Sequence, residues 1–406
     1  YRARPLSNRF SGFARQPRTS KEVTRSRLAR AITPAKALLT FCPSRPPPPP
    51  HPRRTTPDMP DSRLTRASLA SIPLCFASCS LGKPTDSLSD RLSYLSKAGF
   101  EYIELSFPDL QAYASSTQGK DVGEKDWDAL EEAARGVKKL CEENKIKVFI
   151  LQPFSNFEGW KEGSDEYKDA WERVEGWIRI MKAVGTDTLQ VGSTDSGGID
   201  TSHDKLVGDL RKLCDRLAKE GFRLAYENWC WSTHAPKWEQ AWELIRDVDR
   251  PNIGYNPDTF QISGAEWADP TRPDGLVEAP SDEERDKRFQ ASLDELASTI
   301  PADKIYFFQI SDAYKVDPPL EDKVVDGLRP RGRWSHDYRP IPFTGEGYLP
   351  FEKVTKAVLQ TGFRGVFSVE VFDSGKDGKG KDMQLDAYAR DAMLSVQQLL
   401  DNVADD

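Results

Sequence analysis

Long hydrophobic runs are missing from this sequence of 406 residues. No window approaches the roughly 18 consecutive apolar residues of a membrane-spanning helix, which argues against a helical membrane protein. Paired cysteines are missing as well. Cys42, Cys75, Cys79, Cys141, Cys214 and Cys230 are scattered, without a CxxC pair, so neither a disulfide framework nor structural zinc is expected. A reducing, cytoplasmic compartment suits such thiols best. No GxGxxG follows the first apolar run, so the dinucleotide-binding fingerprint is absent too.

Acid is scarce only at the start. Residues 1–58 hold 13 Lys and Arg against Glu22 and Asp58, a net of +11, and because the chain totals −7 the rest carries −18. The basic stretch contains Pro46 to Pro50 unbroken and has little apolar periodicity, so residues 1–63 are expected to be a disordered tail. Its Arg-rich first half, up to Ile32, fits an organellar presequence. A start near Met59 is the preferred reading, because the sequence opens on Tyr1 and "MPDSRLTRASLA" precedes the first strand. The fold is expected over residues 64–406.

From Ser68 onward, short β-rich runs alternate with longer stretches of helical period, the pattern of a parallel α/β sheet. The expected strands are Leu69 to Ala77, Tyr102 to Phe107, Lys147 to Phe154, Thr188 to Gly192, Arg223 to Glu227, Ile253 to Asp258, Lys304 to Ser311 and Val366 to Phe372. Several intervening helices end on glycine, at Gly99, Gly185, Gly221 and Gly362. Eight such units fit a (β/α)8 TIM barrel, with a doubly wound open sheet as the runner-up. Long connections follow the sixth and seventh strands, on the side where a barrel keeps its active site.

The second half's strands end on Glu227 in "AYEN", Asp258 in "NPDTF", Gln309 in "FFQISD" and Glu370 in "FSVEVF". All would converge on the barrel mouth. Three carboxylates held close repel one another and would be driven to protonate unless a cation sits between them. An all-oxygen ligand set favours one hard divalent ion, Mg2+ or Mn2+, with Co2+ also compatible.

Those residues, with "LQPFSNFEG", "YENWCWSTHAPKW", "RPNIGYNPDTFQISG" and "WSHDYR", make the body from Leu69 to Val403 resemble the xylose-isomerase-like barrels. Within them it is most similar to 3-dehydroshikimate dehydratases. Many sugar epimerases of that superfamily carry His where Gln309 stands, whereas dehydratases carry Gln. The resemblance implies Glu227, Asp258, Gln309 and Glu370 as metal ligands, and Ser335 and Arg339 as substrate-binding residues. An Arg fork suits a substrate carboxylate. Gln261, a third candidate substrate-binding residue, occupies a position where bacterial dehydratases often have His, and it cannot titrate near neutral pH. A basic residue that those enzymes place shortly after the substrate arginine is also missing, since Pro340 to Phe343 is uncharged. His234 is then the candidate general acid or base, with Glu227 and Glu370 beside it in catalysis. Trp229, Trp231, Trp160 and Phe154 are candidate pocket walls.

The expected function is metal-dependent dehydration of 3-dehydroshikimate to protocatechuate, in quinate and shikimate catabolism. The alternative is a keto-sugar isomerase or epimerase, which uses the same metal and enolate chemistry. The DNA-repair branch of the superfamily assembles several metals on many histidines; this chain has four, His51, His203, His234 and His336, and its acidic body repels phosphate. The expected partner is a small polyhydroxy keto acid or keto-sugar, not nucleic acid or membrane, with homo-oligomerisation left open.

Overall fold

The computed structural model describes residues 63–344 and 346–406. The expectations for the basic tail lie outside the described residues. Leu64 is already buried in the core, and its carbonyl accepts from the Asp405 amide at 2.7 Å, so the two ends of the described body meet.

Eight parallel strands form one sheet: β1 (Leu74–Ala77), β2 (Tyr102–Ser106), β3 (Lys147–Phe154), β4 (Thr188–Gly192), β5 (Arg223–Glu227), β6 (Ile253–Tyr255), β7 (Phe308–Ile310) and, after the two-residue strand β8 (Tyr338–Arg339), β9 (Phe367–Val369). β1 pairs with β2 on one side and β9 on the other, and β9 pairs with β7. The ring closes between β6 and β7, where the Tyr306 amide donates to Tyr255 and the Gln309 amide to Pro257, both at 3.0 Å. Closure removes the open-sheet alternative and gives a TIM barrel.

β3, β4 and β5 have the expected bounds; others are shorter for local reasons. Leu69, the expected first residue of β1, instead ends the helical turn Arg66–Leu69, capped by the Thr65 hydroxyl, which accepts from the Ser68 amide at 3.2 Å, and β1 begins only at Leu74. β6 stops at Tyr255, just ahead of Pro257, which has no amide to give a ladder. Ala302–Lys304 winds into a 3-10 turn ahead of β7.

Strand parity sorts the side chains into two sets. Ile103, Leu105, Leu151, Leu189, Val191, Leu224, Tyr226, Tyr255, Phe308 and Val369 belong to the large core between strands and helices. Cys75, Ile150, Ala225, Phe307 and Val366 form a separate cluster filling the barrel interior. Successive strand residues alternate faces, so Glu104, Gln152, Gln190, Glu227, Gln309, Ser368 and Glu370 point inward, above that plug. Over the mouth, β8 pairs antiparallel with β10 (Phe372–Asp373), setting Arg339 opposite Phe372. Among the described residues no helix is long and apolar enough to cross a membrane.

Candidate active site

The inward parity brings Glu227, Asp258 and Glu370 together. One carboxylate oxygen from each lies within 4.8 Å of the others, and all three side chains are buried. The Gln309 amide sits beside them, 2.8 Å from Asn256 and 2.9 Å from Glu104. The four expected ligands therefore converge, and strand order alone is what assembles them.

Every oxygen but one of the triad's carboxylates is engaged. Gln190 and the Trp229 indole (3.1 Å) donate to Glu227 Oε2. Gln152 donates to Glu370 Oε1 at 3.3 Å, and the Phe260 amide to Asp258 Oδ1 at 2.7 Å. Arg339 donates to Asp258 Oδ2 at 2.7 Å and to Glu370 Oε2 at 3.0 Å. Glu227 Oε1 is left buried with no hydrogen-bond partner. Leaving such a group unpaired costs about 1–3 kcal/mol, more when it is charged.

The electrostatics agree. Burial, then the charges of Glu370 and Asp258, push Glu227 well above the usual carboxylate range. Burial pushes Glu370 up to about 7 despite Arg339. Burial also raises Asp258 against the opposing pull of Arg339. Glu104 rises through burial and its repulsion with Glu370. Four acids around one guanidinium leave negative charge to spare, and an orphaned carboxylate oxygen faces it. This buried acidic cluster fits a divalent cation.

Ser335 and Arg339 are brought to the same place, Ser335 Oγ lying 3.4 Å from Arg339 Nη1 and Ser311 Oγ accepting from Nε at 3.0 Å. Phe260 and Phe372 flank the guanidinium, 4.7 and 5.4 Å from their ring centroids. Gln261, next to Phe260, is buried and its Oε1 accepts from the Cys230 amide at 2.9 Å. It ties the loop after β5 to the helix Thr259–Glu266.

His234 is placed differently from the expectation. Its Nε2 meets Glu158 at 2.8 Å, and the same carboxylate oxygen accepts from the Tyr226 hydroxyl at 2.8 Å and the Thr194 amide at 2.9 Å. Tyr226 precedes Glu227 on β5 and so points to the opposite face, into the outer core. The His234 and Glu158 pair therefore braces the loops after β3, β4 and β5 from outside the barrel. Burial raises Glu158, but His234 and the two other donors outweigh it and hold the carboxyl below its ordinary range.

The aromatic walls divide. Trp229 and Trp231 stack at 5.1 Å above Glu227, and Gly192 is needed there because a Cβ would collide with the Trp229 ring. Phe154 instead lies in the outer core against Trp177, and Trp160 packs on that core while donating to Asn156. Reading only strand ends in the second half of the chain overlooked Glu104, Gln152, Gln190 and Glu158. For the first three the signal was present: a polar residue on the inward parity of an otherwise apolar strand.

The profile of the xylose isomerase-like TIM barrel family matches residues 92–397. The chain belongs to that family. A 3-dehydroshikimate dehydratase of Neurospora crassa is 30% identical over 341 residues, covering 79% of this chain and 91% of that protein. A 3-dehydroshikimate dehydratase of Pseudomonas putida is 29% identical over 288 residues, which are 71% of this chain and 36% of the bacterial protein. This family member thus spans about a third of that longer relative. Among solved structures, a xylose isomerase-like TIM barrel/4-hydroxyphenylpyruvate dioxygenase fusion protein superposes with a TM-score of 0.62 at 25% identity, over 82% of this chain and 43% of the other.

Proposed function

We propose that this barrel is a hydro-lyase that dehydrates 3-dehydroshikimate to protocatechuate in quinate and shikimate catabolism. The observation that carries the reading is Arg339, a buried guanidinium fork with Ser335 beside it, set directly against the acid cluster. A neutral sugar gives such a cation nothing to pair with, whereas a ring carboxylate would take charge-assisted hydrogen bonds from it in place of those that Asp258 and Glu370 accept. The dehydratase relatives support the same choice.

Glu227, Asp258, Gln309 and Glu370 would hold one Mg2+ or Mn2+ ion, Glu227 through its unpaired Oε1. Bound there, a divalent cation supplies Lewis-acid stabilisation for charge developing on a ketone oxygen. Gln190 and Trp229 orient Glu227, and Gln152 orients Glu370, the outer hydrogen bonds that fix such ligands. Arg339 and Ser335 fix the substrate's acid end, so its ketone is presented to the ligand cluster. Trp229 and Trp231 wall the site against water. The five described cysteines are free thiols, which supports a reducing, cytoplasmic setting.

The test is an assay of the purified protein with Mg2+ or Mn2+ on 3-dehydroshikimate, following the aromatic product by ultraviolet absorbance, with a keto-sugar as control. Faster processing of the sugar than of the acid would move the isomerase reading into first place.

A further inference from the structure

Dehydration beside a ketone needs a group that takes a proton from carbon and one that delivers a proton to the departing hydroxyl. His234 is committed to Glu158 on the outer side of β5, and Gln261 does not titrate. Another histidine stands at the mouth. His336 lies near the end of the helix Pro330–Asp337, immediately after Ser335 and three residues before Arg339.

Its ring meets Trp231 edge to face at 6.2 Å between centroids and lies 6.5 Å from Phe372. Both neighbours adjoin side chains that contact the acid cluster. Trp231 stacks on Trp229, which donates to Glu227 at 3.1 Å, and Phe372 carries the Arg339 guanidinium over its ring. His203 faces Asp247 and His234 faces Glu158, each at 2.8 Å. The His336 ring nitrogens, by contrast, have no hydrogen-bond partner among the described residues. The side chain is exposed, yet the protein around it desolvates it enough to lower its pKa below the ordinary imidazole value. The charges facing it are Asp337 on its own helix, Asp195 from the loop after β4, and Arg339; the two acids oppose the lowering and Arg339 adds to it. The result is an imidazole that is neutral at neutral pH and free to accept a proton.

We infer that His336 is the proton-transfer residue of the dehydration, taking the proton from the carbon beside the ketone and delivering it to the hydroxyl that leaves. The C–H electron pair becomes the new ring double bond, the C–O pair departs with the oxygen, and the imidazolium proton completes the water. The dienone that remains tautomerises to the catechol without oxidant or reductant. This inference rests on the proposed dehydratase activity.

The experiment compares wild type with His336→Gln and His336→Ala, reading kcat and KM for 3-dehydroshikimate across pH, with Mn2+ affinity and Tm measured alongside. A loss of about 10²- to 10⁴-fold in kcat is expected, the range for general acid-base catalysis. KM, Mn2+ affinity and Tm should stay near wild type, the acidic limb of the pH profile should disappear, and added imidazole should partly rescue His336→Ala. An active wild type with His336→Gln retaining kcat and the same acidic limb overturns the inference alone. A loss traced to weaker Mn2+ binding or lower Tm overturns it too, because His336 would then be structural. A wild type that releases no aromatic product overturns the dehydratase reading and this inference with it.

Discussion

Arg339 Nη2 lies 2.7 Å from Asp258 Oδ2, with both side chains at most 1% exposed. The residue read as a substrate anchor is therefore also the counter-charge of the buried acid cluster, since its other terminal nitrogen reaches Glu370 at 3.0 Å. Arg339→Ala should lower kcat/KM for the acid substrate by roughly 10- to 150-fold, the loss of one charge-assisted interaction of about 1.5–3 kcal/mol. Arg339→Lys should rescue only part, keeping charge without the fork. The alanine variant should also melt lower, by more without metal than with it, since removing one partner of a buried pair costs about 3–5 kcal/mol. Unchanged turnover of 3-dehydroshikimate would remove the carboxylate-reading role.

Chelation should abolish activity, and Mg2+ or Mn2+ should restore it. Glu227→Gln and Glu370→Gln should each weaken metal binding, measured by calorimetry, while the barrel stays folded, because each relieves carboxylate repulsion. Full turnover in thoroughly metal-free protein would end the metal-site assignment.

Stability should depend on pH in opposite senses with and without metal. Glu370 titrates at about 7 in the fold and near 4.3 unfolded, and Glu227, Asp258 and Glu104 are shifted the same way. Between those values the native state binds more protons, so metal-free protein should lose stability as pH rises from about 4 to about 7. A cation binds the ionised carboxylates and should stabilise most at the upper end. Melting curves at several pH values, with chelator and with Mn2+, check this; a metal-free Tm that rises across the window contradicts it.

His234→Ala or Glu158→Gln should act on stability. Each breaks a pair with side chains 2% or less exposed, at a cost of about 3–5 kcal/mol, while turnover per folded molecule at low temperature stays near wild type. The Glu158 contribution is fully present above about pH 4.3 and is lost as pH falls from there through its lowered folded value. A collapse of kcat with Tm preserved would return His234 to the catalytic centre.

Gly192→Ala should push the Trp229 ring off Glu227, because the added Cβ has no room beside it. The expected cost is about 1–3 kcal/mol, as for other overpacking changes, with altered tryptophan fluorescence and weaker metal binding. Unaltered fluorescence would mean that the ring does not rest on Gly192.

The sequence by itself determined the barrel and the residues at its mouth. Alternation of strand and helix is a local property, so β3, β4 and β5 could be read to the residue, and Glu227, Asp258, Gln309 and Glu370 follow from where strands end. Only the tertiary structure decided what each polar group faces. His234 sits seven residues after Glu227, yet its partner Glu158 is 76 residues away in sequence. Arg339 was legible as a fork for a carboxylate, but not as the partner of Asp258 across 81 residues. Glu104 shows the same limit: it lies on β2, yet closure of the barrel sets it against Gln309 on β7. The reason is physical. Propensity and parity act within a few residues of chain, whereas the ionisation of a buried acid is set by whichever charges the folded ring brings around it.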